Sequence, residues 1–216
     1  KKGGNLIELY TGNAFGKDLE KIKELGIGIM ICTSVAFPAT KNFKEVPCAL
    51  DNGAFNCYRK GYPFQSDLFL ENIKHCYSLG IKLDFITVPD IFCGGGLKSF
   101  EFSLKWSENE LFSAPNLALV VQDGLKIKQI RYDIDNFSHI FIGGSVEWKW
   151  KTAKGWIDFA HDNGMKCHIG QVGKLEYLEL ANELGADSVD STSWVRNKSW
   201  HIIEQFRNRR QGRLEL

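Results

Sequence analysis

Residues 166–190, KCHIGQVGKLEYLELANELGADSVD, carry one whole unit of the fold. The apolar run at 166–169 (KCHI) reads as a strand, and a glycine turn, Gly170-Gln171-Val172-Gly173, follows it. Residues 174–184 then place Leu175, Leu178 and Ala181 at helical spacing, with Gly185 as the stop signal. A second short strand, 187–190 (DSVD), completes the unit. Strand, helix and strand in this order describe two parallel strands joined by a right-handed crossover.

The same alternation recurs upstream. Strands are expected near 6–10 (LIELY), 27–33 (IGIMICT), 47–51 (PCALD), 84–88 (DFITV), 117–122 (LALVVQ) and 139–142 (HIFI), making eight in all. Helices are expected at about 16–25, 66–79, 98–110, 125–132, 149–163, 174–184 and 197–208. Residues 34–46 (SVAFPATKNFKEV) read as a loop. Eight such units close into a (β/α)₈ barrel, and 216 residues lies near the ~200-residue lower size of that fold. An open doubly wound sheet is the alternative, and the strand count favours the barrel. The whole chain, 1–216, is then one domain with a basic C-terminal segment at 196–213.

Apolar residues make up 44% and charged residues 25%, which excludes disordered and collagen-like chains. A net charge of +1 excludes a generally basic nucleic-acid sponge but not a local basic patch. No apolar run approaches the ~20 residues of a membrane span, and Lys1-Lys2-Gly3-Gly4 lacks the apolar core of a signal peptide. No membrane partner and a cytoplasmic location are therefore expected, the host cytoplasm if the chain is phage-encoded. The six cysteines, at 32, 48, 57, 76, 93 and 167, form no C-x-x-C pair and no zinc spacing. They read as reduced, buried thiols, with no metal site.

The residues just past the strands carry the chemistry. They are Asp51-Asn52-Gly53-Ala54-Phe55, Pro89-Asp90, Gln122-Asp123-Gly124, Gly143-Gly144-Ser145, Gly170 to Gly173, and Asp190-Ser191-Thr192-Ser193. In parallel α/β folds ligands bind at this end of the strands. One such Asp is ordinarily a cap or turn residue. Three on one face, with a Gln and several glycine turns, point to a site. Nucleotide-binding P-loop, dinucleotide-binding and nucleophile-elbow motifs are all missing, so no cofactor is expected. Gly94-Gly95-Gly96 could cradle an anion or form a mobile loop. Two carboxylates with different duties suit glycosyl transfer, and a third with an amide suits a purine-like edge.

These segments, in order, resemble the tRNA-guanine transglycosylases, (β/α)₈ enzymes that exchange guanine for a 7-deazaguanine. The matching runs are Asp51 to Phe55, Val121 to Gly124, Ile142 to Ser145, Ile169 to Gly173 and Gly185 to Asp190. The Cys₃His zinc site of the tRNA enzymes has no counterpart here. The chain is more similar to compact, zinc-free relatives from phage and bacterial DNA-modification systems. The resemblance implies DNA as substrate and a free 7-deazaguanine as the incoming base, with tRNA as the alternative polymer. A homodimer or partner modification proteins would be compatible with it.

It also implies roles. Asp190 would be the nucleophile that forms a covalent glycosyl intermediate, and Asp51 the general acid/base. Asp90 would grip the base edge. Gln122 and the Gly144 N–H would bind its carbonyl, Phe55 would flank it, and Gly143 and Gly170 would shape the pocket. Arg196, Lys198 and Trp194 would hold the nucleic acid. Over 196–213 six basic residues face one acid, Glu204, which suits phosphates or an ordinary helix end. Trp148, Trp150, Trp156 and Trp200 read as core or interface, and His168 as a hydrogen-bonded barrel residue. Three other readings compete. They are a tRNA enzyme with a partner, a small-molecule barrel enzyme with a phosphate at the seventh and eighth strand loops, and a non-catalytic nucleic-acid binder.

Overall fold

The computed structural model describes residues 6–92, 95–112, 116–130 and 134–214. Eight parallel strands close a barrel in sequence order: β1 (Glu8–Thr11), β2 (Gly28–Cys32), β3 (Cys48–Asp51), β4 (Leu83–Thr87), β5 (Leu117–Val121), β6 (His139–Ile142), β7 (Lys166–Ile169) and β8 (Ser188–Ser191). β8 pairs with β1 through Glu8–Ser188 and Tyr10–Asp190, which closes the ring. The expected (β/α)₈ barrel is the fold observed.

Period-2 alternation decides what each strand gives to each side. Ile29, Ile31, Leu50, Ile86, Leu119, Ile140, Ile142, Ile169 and Val189 belong to the outer core, packed with the helices. Tyr10, Met30, Ala49, Phe85 and Ala118 form a second cluster, with Phe141 against it, that fills the barrel. The lower interior is polar at its margin. The Tyr10 hydroxyl donates to Asp84 at 2.8 Å, and the His139 ring packs tilted against Phe85 with centroids 4.8 Å apart. Further up on the inward side, Gly12, Cys32, Asp51, Thr87, Gln122, Gly143, Gly170 and Asp190 line the mouth.

Eight α-helices occur among the described residues: α1 (Lys17–Glu24), α2 (Ala54–Arg59), α3 (Ser66–Ser78), α4 (Gly96–Ser107), α5 (Val146–Asp162), α6 (Leu175–Leu184), α7 (Thr192–Arg196) and α8 (His201–Leu214). Several differ from expectation for visible reasons. The helix expected over 125–132 is only a 3₁₀ turn, Ile127–Gln129, capped by Gln129, whose Oε1 accepts from the Lys126 N–H. Residues 131–133 lie outside the described residues. The loop read over 34–46 contains a 3₁₀ turn, Lys41–Glu45. α5 begins three residues early because Ser145 caps it, its Oγ accepting from the Trp148 N–H. α2 and α7 were hidden by their shortness and by the motifs they follow. Gly96 opens α4 where a Cβ would lie 2.2 Å from the Leu125 nitrogen, so this glycine serves close packing. Of the glycines read as an anion cradle at 94–96, Gly94 lies outside the described residues.

The described cysteines, 32, 48, 57, 76 and 167, are free thiols; Cys93 lies outside the described residues. No helix among the described residues is long and apolar enough to cross a membrane.

Candidate active site at the barrel mouth

One cavity of about 650 Å³ opens at the carboxyl ends of the strands. Asp51, Asp90, Gln122, Gly143, Gly144, Gly170, Asp190 and Phe55 all line it, so the strand-end residues singled out in the sequence do converge.

Asp51 sits last in β3 beside Cys32 of β2 in the parallel register. Burial pushes its carboxyl up to about 7, with Asp190 and Asp90 adding like-charge repulsion. The Gly53 N–H and the Cys32 thiol oppose the rise. Asp90 is 8% exposed, and burial raises it to about 6. Its Oδ1 accepts from Asn52 Nδ2 at 2.8 Å, and its Oδ2 from Gln122 Nε2 at 3.0 Å. Asn52 also donates to the Val88 carbonyl at 2.9 Å and accepts the Ala54 N–H at 2.8 Å. One side chain thus ties the end of β3, the end of β4 and the start of α2 together.

Gln122 corrects an expectation. Its amide nitrogen donates to Asp90, the Ile91 carbonyl and Ser99 Oγ, all within 3.0 Å. It buttresses Asp90, and its donors are not offered to a ligand.

Asp190, in β8, faces the cavity. Its Oδ1 lies 3.1 Å from His168 Nε2 and 3.2 Å from the Gln171 N–H. His168 is fully buried, with Nδ1 2.8 Å from Ser188 Oγ. The barrel-residue reading of His168 holds, and it also positions Asp190. Gly170 is required here: a Cβ would meet the Phe141 ring at 2.7 Å and Asp190 Oδ1 at 3.4 Å.

Lys149, which with Trp148 follows the Gly143-Gly144-Ser145 turn, has no role among the sequence-based expectations. It is 3% exposed and its Nζ donates to the Gly170 carbonyl. Burial lowers its pKa to about 8, against the attraction of Asp190 and Asp123. A signal was present. Lys149, Ala153, Trp156, Ile157 and Ala160 form the buried stripe of α5, so a lysine stands on an apolar face. The Gly143-Gly144-Ser145 turn that precedes it is fixed by Asp123, which accepts from the Ser145 N–H at 2.7 Å and hydroxyl at 2.6 Å.

The nucleic-acid residues fare differently. Trp194 is fully buried and its Nε1 donates to the Gly173 carbonyl at 3.2 Å, so it cannot stack on a ligand. Lys198 does not line the cavity and pairs with Asp18 at 2.5 Å. Arg196 alone of the three stands at the mouth. Along α8, Arg209 pairs with Glu179 at 2.9 Å, and Arg207 donates to the Gly26 carbonyl at 3.4 Å. Gly26 precedes β2, so α8 leads to the end of the barrel opposite the mouth. Nothing is described of the Arg210 and Arg213 side chains.

No protein-family model and no curated protein matches the chain. The fold is similar to a solved structure described as "QR15, an Aldolase", at TM-score 0.61 and 15% identity, over 95% of this chain and 96% of that one. At that identity the likeness shows the fold. Nothing in these comparisons points to the tRNA-guanine transglycosylases. The expectations of a transglycosylase, of DNA or tRNA as its polymer and of a 7-deazaguanine as its base are corrected accordingly: the likeness found is to an aldolase barrel. Gly170 is held by close packing against Phe141 and Asp190, and Asp123 by its bonds to Ser145, so these parts of the motifs have local structural reasons. Fold and site together define a (β/α)₈ barrel with a three-aspartate, one-lysine mouth.

Proposed function

We propose that this chain is a small-molecule enzyme acting on a carbonyl substrate through the Lys149 amine, with Asp51 moving protons. The observation that carries the reading is Lys149 itself: buried at the cavity wall, lowered to about 8, and bonded to a backbone carbonyl rather than to a carboxylate. Roughly a tenth of such an amine is free base at pH 7. The free amine adds to a carbonyl carbon, water leaves, and a protonated imine forms. Its positive nitrogen accepts the electron pair of a neighbouring carbon–carbon or carbon–hydrogen bond as that bond breaks. A carboxyl near 7 suits both donation and removal of protons at neutral pH, which assigns that work to Asp51. Asp190, held by His168 and the Gln171 N–H, accepts a substrate hydroxyl.

The aldolase description of the similar barrel supports carbon–carbon cleavage as the reaction class. Gly173, Ser193 and Arg196 line the sector after β7 and β8, where barrel enzymes frequently place a substrate phosphate. The test is reduction by borohydride in the presence of pyruvate, acetaldehyde or glyceraldehyde 3-phosphate. A stable adduct on Lys149, absent from Lys149→Met, is expected with at least one of them. No adduct on Lys149 with any of the three would overturn the reading.

A further inference from the structure

The floor of the mouth holds a group that the imine chemistry does not use. Thr87 ends β4 two residues after Phe85, so by strand alternation its side chain faces the barrel axis as Phe85 does. It is 1% exposed, it lines the cavity, and its hydroxyl has no hydrogen-bond partner among the described residues. Other threonines at the strand ends satisfy the hydroxyl nearby, as Thr33, just past β2, does on the Asp51 carbonyl at 2.8 Å and Thr11, last in β1, on the Ser191 carbonyl at 3.0 Å. An unpaired buried hydroxyl is costly. Its cavity neighbours Met30, Val120 and Phe141 are apolar. Asp90 is engaged with Asn52 and Gln122, and Asp190 with His168 and Gln171.

We infer that the floor is a recognition subsite for the leading end of the substrate. That end is compact and apolar on its sides, contacts Met30, Val120 and Phe141, and carries one hydrogen-bonding atom that pairs with Thr87 Oγ1. This rests on the mouth being a substrate cavity and deepens it by setting the substrate's shape. A substrate polar at every atom would leave the three apolar walls facing polar groups. A wholly apolar one would leave the hydroxyl unpaired.

Phenol is a fitting probe, with a flat apolar body and one hydroxyl, and benzene is its hydroxyl-free control. The chain has two methionines, which makes methyl-¹³C methionine NMR direct: Met30 stands at the floor, while Met165 belongs to the outer core. Phenol and benzene should both shift the Met30 methyl and leave Met165 unmoved. Thr87→Val keeps the shape and removes the hydroxyl. It should weaken phenol by about threefold to tenfold, the worth of one net hydrogen bond, and leave benzene unchanged or tighter. Thr87→Ser should retain phenol binding and guards against a merely structural effect. Equal phenol affinity in Thr87→Val, or a Met30 methyl that ignores both probes, would overturn the subsite. Imine trapping reads Lys149 and phenol binding reads the floor, so either reading can fail without the other.

Discussion

Burial holds the Asp51 carboxyl at about 7, against the usual value near 3.8. The folded chain therefore keeps a proton there that the unfolded chain has released. Stability contributed by that proton is lost as pH rises from about 4 to about 7 and is flat above. Asp51→Asn removes this dependence. Its melting temperature relative to the native chain should be higher at pH 8 and should lose that advantage towards pH 4; a difference constant with pH would contradict the assignment. Asp51, Asp90 and Asp190 were legible in the sequence because strand ends in a parallel fold announce their side of the sheet. Their division of labour was not. Gln122 reads the same in sequence whether its amide faces a ligand or Asp90, and only the packing of Ser99 and the Ile91 carbonyl against it decides.

Each βα unit is positioned by contacts that sequence periodicity does not encode. The eight strands were legible because each is a short, nearly continuous apolar run between turn signals, as Cys48-Ala49-Leu50 is before Asp51. The short α2 and α7 were not, since five or six residues give no measurable helical period. α4 depends on Gly96, where any side chain strikes the Leu125 backbone. Gly96→Ala should cost about 1–3 kcal/mol in urea unfolding, the usual penalty of overpacking. α7 is anchored by Trp194, fully buried and bonded to the Gly173 carbonyl. Trp194→Ala should cost about 3–5 kcal/mol, as deletion of a large buried aromatic does. A loss below about 1 kcal/mol would mean that the indole is not packed as described.

For the molecule as a whole, closure of the barrel by β1 and β8 brings Asp51 and Asp190 to one mouth, although 139 positions separate their numbers. A chain cut before β8 would leave β1 and β7 with open edges. Such a fragment should lose the cooperative thermal transition of the full chain in circular dichroism; a sharp melt would show that the ring does not need its eighth strand. The same closure encloses the Lys149 amine between the turn after β6 and the Gly170 carbonyl after β7. The most direct measurement is therefore a pH titration of the lysine side chains by ¹³Cε NMR, on the native chain and on Lys149→Met. One lysine should titrate at about 8, and that signal should vanish in the variant. If no lysine of the native chain titrates at about 8, or if that signal persists in Lys149→Met, Lys149 is an ordinary cation at neutral pH and the proposed amine chemistry is contradicted.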